Sequence, residues 1–230
     1  MASIRLYGSR LSPFVEKVYR GLKLKRLPFE LVEPATPLDL RRRNPQTGKM
    51  PALELEGEPL WDSTFILRRI DERFPNPPLL SRDPRVAAAQ RQLEDWSDES
   101  LYWWAMAVRW CERNARSTTE QIVMSMGPAF LRPLARLVVP RQLGRGSRAQ
   151  GLGRLPHDVL VREYAHLLDD LVLLLGDRAF FYSDRCGLAD LAVYGQLRGA
   201  RSGPTPELEA LLYERPPLVD HLKRVEEACS

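Results

Sequence analysis

Leu6-Tyr7-Gly8-Ser9-Arg10-Leu11-Ser12-Pro13-Phe14 decides how this chain folds, because it carries a strand directly into a helix. Ile4-Arg5-Leu6-Tyr7 has the composition of a short strand. Ser12 before Pro13 marks a helix start: serine suits the N-cap, and proline at the first helical position loses an N–H that has no partner there. The pattern predicts a helix from Ser12 to about Lys25. Working outward, a second strand over Phe29–Val32 follows Pro28, and Leu38–Arg43 reads as a short helix. Ala52-Leu53-Glu54-Leu55-Glu56 alternates with period two, and Gly57-Glu58 turns it back into Pro59-Leu60-Trp61, a hairpin. A helix from about Ser63 to Phe74 closes the series β-α-β-α-β-β-α, which fits a small mixed sheet carrying helices.

Pro75-Asn76-Pro77-Pro78 and Ser81-Arg82-Asp83-Pro84 then interrupt regular structure. The domain boundary is placed here, giving an α/β domain over 1–80 and an all-helical domain over 85–230. In the second part Leu160, Tyr164, Leu167, Leu171 and Leu174 recur at helical spacing, with Asp158 as the expected N-cap and Gly176 as the expected stop. A further helix is read over 188–198. Residues 117–156, rich in Gly, Pro and Arg, give no clear pattern.

The chain of 230 residues is 28% charged and 44% apolar, with a net charge of +4, a composition that speaks against disorder, collagen and coiled coil. Its apolar runs are broken well short of the ~20 residues of a bilayer span, and no export signal is read, so neither a membrane span nor secretion is expected. Cys111, Cys186 and Cys229 are too few and too scattered for a disulfide framework or a zinc cluster, and a reducing cytoplasm is the expected compartment. No metal is expected. The charge is uneven: residues 109–162 hold ten arginines against three acids. This suits either an anion-binding surface or a solvated helical face, the latter being the more economical reading. Zinc-finger spacing, a basic zipper and RNA-binding aromatics are missing, so nucleic acid is not an expected partner.

Four linked motifs carry a resemblance. They are the run Leu6–Phe14 with Lys17-Val18, then Asn44-Pro45, then Gly48-Lys49-Met50-Pro51-Ala52-Leu53, then Gly57–Ser63. Together they resemble the N-terminal half of cytosolic glutathione transferases, most closely the serine-type tau enzymes and, with Ser in place of Cys, the omega group. The resemblance implies a thioredoxin-like N-terminal domain followed by an all-α domain. It also implies a dimer and a detoxifying conjugation of glutathione to a small hydrophobic electrophile.

Within that resemblance Ser12 is the catalytic residue, a hydrogen-bond donor to the glutathione thiolate at the positive end of a helix dipole. Without it, Ser12 is an ordinary helix cap. Tyr7 and Ser9 are rivals for the role, and the Ser-Pro-Phe register favours Ser12. Phe14, Lys49, Met50, Pro51, Asp62 and Ser63 complete the implied glutathione site. Pro51 is cis and Met50 presents its backbone to the extended tripeptide. Lys49 meets the glycine carboxylate, the Ser63 helix start meets the γ-glutamyl carboxylate, and Asp62 faces the ammonium. Lys49 as a solvated turn lysine and Asp62-Ser63 as a simple cap pair are the structural alternatives. Asp62 stands where the family usually has Glu or Gln, which shortens its reach.

Gly187-Leu188-Ala189-Asp190 matches the family's helix-start motif with Gly in place of Ser or Thr, so Asp190 is expected to bond the Gly187 backbone N–H. Trp96, Trp103 and Trp110 recur every seven residues on what reads as one long helix. Such a stripe is more often core or interface than a substrate cage, and beside it Tyr102, Met106 and Arg109 are candidates for the electrophile pocket. From Arg148 through Asp184 the chain is also similar to metaxin-like proteins, which implies a second possibility, a non-catalytic scaffold with a vestigial glutathione site. Thiol-exchange reductase chemistry is a smaller alternative, awkward with Ser at position 12.

Overall fold

The computed structural model describes residues 3–34, 36–125, 129–201 and 203–230. The α/β segment runs β1 (Ile4–Tyr7), α1 (Pro13–Leu24), β2 (Glu30–Val32), α2 (Pro37–Arg43), β3 (Ala52–Leu55), β4 (Glu58–Trp61) and α3 (Ser63–Arg73). The sheet order is β2-β1-β3-β4. β1 and β2 are parallel, so α1 serves as their crossover, while β3 pairs antiparallel with β1 and β4. Glu56 and Gly57 both take positive φ, 52° and 90°, the signature of a tight hairpin turn. Leu6 aligns with Leu31 and Leu53 across the sheet. Val15, Val18 and Leu22 of α1 and Ile66, Leu67 and Ile70 of α3 are wholly buried.

The helical part contains α4 (Pro84–Trp96), a π-helical turn (Ser97–Leu101), α5 (Tyr102–Arg109), α6 (Ala115–Ser125) and α7 (Arg132–Gln150). It continues with α8 (His157–Leu175), α9 (Leu188–Arg201), α10 (Pro206–Tyr213) and α11 (Pro216–Ala228). The architecture is thus a thioredoxin-like domain with a mixed four-stranded sheet followed by helices. Several details differ from the sequence reading. Asp158 is not the cap of α8: Pro156 holds that position without a capping side chain, and Asp158 lies in the first turn, where the helix dipole still favours it. The buried stripe of α8 runs through Leu168 and Leu175, not Leu167 and Leu174. The π-helical turn breaks the supposed long helix, so the seven-residue tryptophan repeat does not form one continuous face. Much of the unread stretch 117–156 is α6 and α7, the latter continuing through Pro140.

Two compact units form, and they are not the simple halves drawn at the prolines. The first comprises Met1–Glu94, Arg178–Gly195 and His221–Ser230. Its discontinuous pieces are tied to the sheet-bearing segment by specific bonds. Leu188 N donates to Leu79 O at 2.8 Å. Arg20 donates to the Tyr194 hydroxyl at 3.0 Å, and that hydroxyl donates to Glu226 at 2.8 Å. Asp190, wholly buried, accepts from Gly187 N at 2.9 Å, from Phe181 N at 2.8 Å and lies 2.9 Å from His221 Nε2. A Cβ on Gly187 would stand 2.8 Å from the Leu79 carbonyl, which explains glycine where Ser or Thr is usual. The second unit, Asp95–Asp177 with Gln196–Asp220, buries Leu101, Val108, Tyr164, Leu168 and Leu171.

Candidate functional site

Strand register gathers the predicted glutathione residues at one end of the sheet. Tyr7 aligns with Ala52, and Ala52 with Trp61. The loop leaving β1, the entry to β3 and the exit from β4 therefore share that end, bringing Ser12, Lys49-Met50-Pro51 and Asp62-Ser63 to one edge.

Ser12 holds the N-cap backbone position of α1 with φ −77° and ψ 126°, yet its side chain makes no capping hydrogen bond. Its backbone is fixed instead, its N–H donating to Ser9 O and its carbonyl accepting from Glu16 N, each at 3.0 Å. The rivals are engaged. Tyr7 is buried and donates its hydroxyl to Glu54 at 3.4 Å, while Ser9 Oγ accepts from Leu11 N at 3.5 Å. Buried Glu16 braces this loop through two bonds from Arg10, at 2.7 and 2.9 Å, and one from Arg20 at 2.9 Å. Donating to the Glu16 carboxylate holds the Arg10 guanidinium above its ordinary pKa. Phe14 is half-buried in the first turn of α1.

Asn44 shapes the second element. Its side chain donates to Thr47 Oγ1 at 2.8 Å and to Lys49 O at 2.9 Å, and accepts from Thr47 N at 3.1 Å. The Lys49 side chain is left exposed. The Met50–Pro51 peptide is cis, and Met50 stands just ahead of the β1–β3 register.

At the third element Asp62 caps α3, its carboxylate accepting from Thr64 N at 2.9 Å and Phe65 N at 3.3 Å. Its φ of 70° with ψ of 131° is a conformation L residues rarely hold, a strain that clusters at binding sites. Ser63 is 4% exposed, and its hydroxyl accepts from Lys17 Nζ at 3.4 Å. Lys17 also donates to Thr64 Oγ1 at 3.2 Å and pairs with Glu94, which takes a bond from Thr64 Oγ1 at 2.6 Å. This buried Lys17–Thr64–Glu94 network beneath Ser63 was missed in the sequence. Its trace was there: Glu94 lies on the same helical stripe as buried Ala87 and Gln90.

Tyr102, Met106 and Arg109 lie in the second unit. Met106 is 8% exposed. Arg109 Nε and Nη2 are shut off from solvent with no hydrogen-bond partner among the described residues, and burial lowers its pKa. Tyr164, which sequence reading passed over as a core residue, faces Arg109 electrostatically, and burial pushes its phenol up to about 12. Burial also raises Tyr102. Among the described residues no group of three or more His, Cys, Asp or Glu could hold a metal ion, and no helix is long and apolar enough to cross a membrane.

A thioredoxin-like sheet with a first helix opened by Ser12-Pro13, a cis-proline entering β3 and helices following defines the class: the glutathione transferase fold. The glutathione S-transferase structure from Sinorhizobium meliloti has this fold, with a TM-score of 0.66 at 20% identity over 97% of this chain and 88% of that one. One from Methylobacterium radiotolerans, solved in complex with glutathione sulfonate, superposes with a TM-score of 0.61 at 28% identity over 97% of this chain and 90% of its own. Residues 6–78 match the family model of the glutathione S-transferase N-terminal domain. A probable glutathione S-transferase of Solanum tuberosum is 38% identical over 95 residues, 40% of this chain and 43% of that protein. Over residues 6–78 the chain is therefore similar to the N-terminal domain of glutathione S-transferases, and it spans less than half the length of the curated relatives it matches.

Proposed function

We propose that this protein is a glutathione transferase that adds the glutathione thiolate to a small hydrophobic electrophile, with Ser12 as the thiolate's hydrogen-bond donor. The observation that carries the reading is the Ser12 hydroxyl: it stands at the N-terminus of α1 without spending itself on the cap, while Tyr7 donates its hydroxyl to Glu54 and Ser9, which only accepts from Leu11 N, lies ahead of the helix start. A thiol has an ordinary pKa of about 8.5, and each unit of lowering takes about 1.4 kcal/mol of preferential thiolate stabilisation. A lowering of about two units by the hydroxyl and the helix dipole makes most bound glutathione nucleophilic at pH 7. Ser12 donates and does not itself attack, so it needs no neighbouring base. Lys49 supplies charge for the glycine carboxylate, Met50 before Pro51 offers its backbone, and Asp62 and Ser63 receive the γ-glutamyl end, with Phe14 beside them. The glutathione sulfonate bound by the Methylobacterium relative supports the tripeptide as ligand. Tyr102, Met106 and Arg109 are the proposed electrophile-side residues. A cytoplasmic, homodimeric detoxification enzyme is the setting this reading implies.

Calorimetric titration with glutathione is the first test, with Kd expected in the micromolar to millimolar range. Ser12→Ala is expected to raise Kd by no more than about fourfold and to lower kcat at pH 7 by up to about 25-fold, the fall in thiolate fraction when a thiol lowered by about two units returns to its ordinary pKa of about 8.5. Unchanged turnover would remove Ser12 from the mechanism. The metaxin-like scaffold reading draws on exposed Phe130, Leu134, Leu137 and Val138 in the arginine-rich region, and it gains if no glutathione binds.

A further inference from the structure

Cys111 and His157 take no part in the proposed transferase chemistry, yet they line a cavity of about 720 Å³ in the second compact unit. Cys111 Sγ lies 3.6 Å from His157 Nδ1, and His157 Nε2 lies 3.3 Å from Glu207 Oε1. Glu207 makes no hydrogen bond to His157 among the described residues, but its carboxylate beside Nε2 electrostatically favours the tautomer with the proton on that nitrogen, the one whose Nδ1 lone pair faces the thiol. In the resting arrangement the thiol donates to Val108 O at 3.0 Å, so it is positioned without being consumed in an ion pair. Cys111 is partly exposed, in contrast to buried Cys186 and Cys229.

The walls indicate what the thiol would meet. Arg113, Arg148 and Arg154 line the cavity, with Glu112 as the acidic counterweight. Arg113 lies 3.4 Å from Glu207. Arg154 Nε donates to the Arg148 carbonyl at 2.9 Å, and among the described residues neither Arg148 nor Arg154 has a carboxylate partner. Ser147, 2% exposed, also lines the space, and its hydroxyl has no hydrogen-bond partner among the described residues. A buried hydroxyl without a partner and two guanidinium groups without a carboxylate, both among the described residues, around a thiol–imidazole pair are what an anionic ligand would satisfy.

We infer that Cys111, His157 and Glu207 form a second, thiol-based site that takes small electrophiles bearing a carboxylate, sulfonate or phosphate, anchored by Arg148 and Arg154. In the reaction His157 Nδ1 takes the thiol proton and the sulfur electron pair forms the new S–C bond. The leaving group departs with the electron pair of the bond it loses. Glu207 acts through His157 as a positioning residue.

The test compares alkylation of the full chain by iodoacetate, which is anionic, and iodoacetamide, which is neutral, followed residue by residue by mass spectrometry. Iodide is the leaving group in both. The iodoacetate-to-iodoacetamide rate ratio at Cys111, divided by the same ratio in the urea-unfolded chain, is expected to reach about tenfold through the local positive potential. In Arg148→Ala/Arg154→Ala the normalised ratio is expected to return to about one. His157→Asn is expected to slow both reagents at Cys111 by at least about tenfold. Glu207→Gln should slow both as well while leaving the charge preference in place. Slow labelling of Cys186 and Cys229 confirms that each variant is folded. A normalised ratio near one in the original chain, or one that survives loss of both arginines, overturns the anionic site. An undiminished rate in folded His157→Asn overturns the base.

Discussion

The buried Lys17–Glu94 pair gives the sharpest test of how the proposed glutathione site is built. Lys17 comes from α1 and Glu94 from α4, with side chains 1% and 4% exposed, and between them Ser63 and Thr64 of α3 take part. Replacing Lys17 by Met leaves the Glu94 carboxylate in the interior with the Thr64 hydroxyl as its only other bond described. Stranding a buried charge in this way costs about 3–5 kcal/mol, because the lost hydration of the remaining ion is no longer offset. Glu94→Leu removes the carboxylate that balances the buried ammonium and should cost a similar amount. The double variant Lys17→Met/Glu94→Leu removes both charges, and a well-packed apolar pair is often neutral or better, so stability should return to within about 1 kcal/mol of the original. Urea unfolding followed by circular dichroism measures this: with a slope of about 3 kcal/mol per M, each single change lowers the midpoint by about 1–1.7 M and the double change restores it. Glutathione affinity separates stability from function. The double variant still lacks the Lys17 bond to Ser63, so Kd should rise about fivefold, near 1 kcal/mol, even though the fold is recovered. Additive losses in the two single variants, with no recovery in the double, would refute the argument that the pair is held as a compensated unit.

Gly187→Ala places a Cβ 2.8 Å from the Leu79 carbonyl, a backbone atom that also accepts the Leu188 N–H; overpacking of about 1–3 kcal/mol should lower Tm by roughly 3–10 °C in calorimetry. A Tm unchanged in that variant would show that the contact relaxes freely. Burial is the first cause holding both Tyr164 and Tyr194 up to about 12, with a hydrogen bond to Glu226 adding to it for Tyr194. Both phenols keep their protons in the folded state after the unfolded chain has lost them, so their contribution is whole below about pH 10 and lost as pH rises through about 12. An absorbance titration should show late-ionising tyrosine in the folded chain, diminished by one phenol in Tyr164→Phe.

The β-α-β-α-β-β-α order could be read because its signals are local. Ser12-Pro13 fixes where α1 begins, and the alternation at 52–56 with Gly57 fixes the hairpin. Register then delivers the site edge, since short connections leave few alternatives for Tyr7, Ala52 and Trp61. The Lys17–Glu94 bond could not be read that way: 77 residues separate its partners, and each alone resembles a solvated charge on a helix. The stripe of α8 failed for a different reason. Leu167-Leu168 and Leu173-Leu174-Leu175 offer apolar side chains in adjacent registers, and only packing chooses Leu168 and Leu175. The π-helical turn at Ser97–Leu101 likewise has no composition of its own, and it was enough to dissolve the tryptophan repeat as a single face. For the site, type and register of residues were legible, whereas what each hydroxyl was already bonded to was not. That unread layer separates the Ser12 side chain, which makes no cap bond, from Tyr7, which donates to Glu54.

The arginine excess of residues 109–162 shows how little a charge count says about roles. As a solvated face, its ten guanidinium groups would share one environment, and they do not. Arg136 is spent on Glu120 through bonds of 2.8 and 2.9 Å, and Arg162 lies 3.4 Å from Glu163, both at the surface. Arg109 is closed off beside Tyr164 and Tyr102, where its charge is disfavoured by burial. Arg148 and Arg154 stand at the cavity that holds Cys111 and His157. Surface pairs of the first kind contribute little, so the positive charge that can act on a ligand reduces to the arginines without a carboxylate. Neutralising Arg136 and Arg162 should therefore leave anion-selective alkylation of Cys111 intact, while neutralising Arg148 and Arg154 abolishes it. The segment's net charge changes by the same amount in both cases, so place and not total charge sets the outcome.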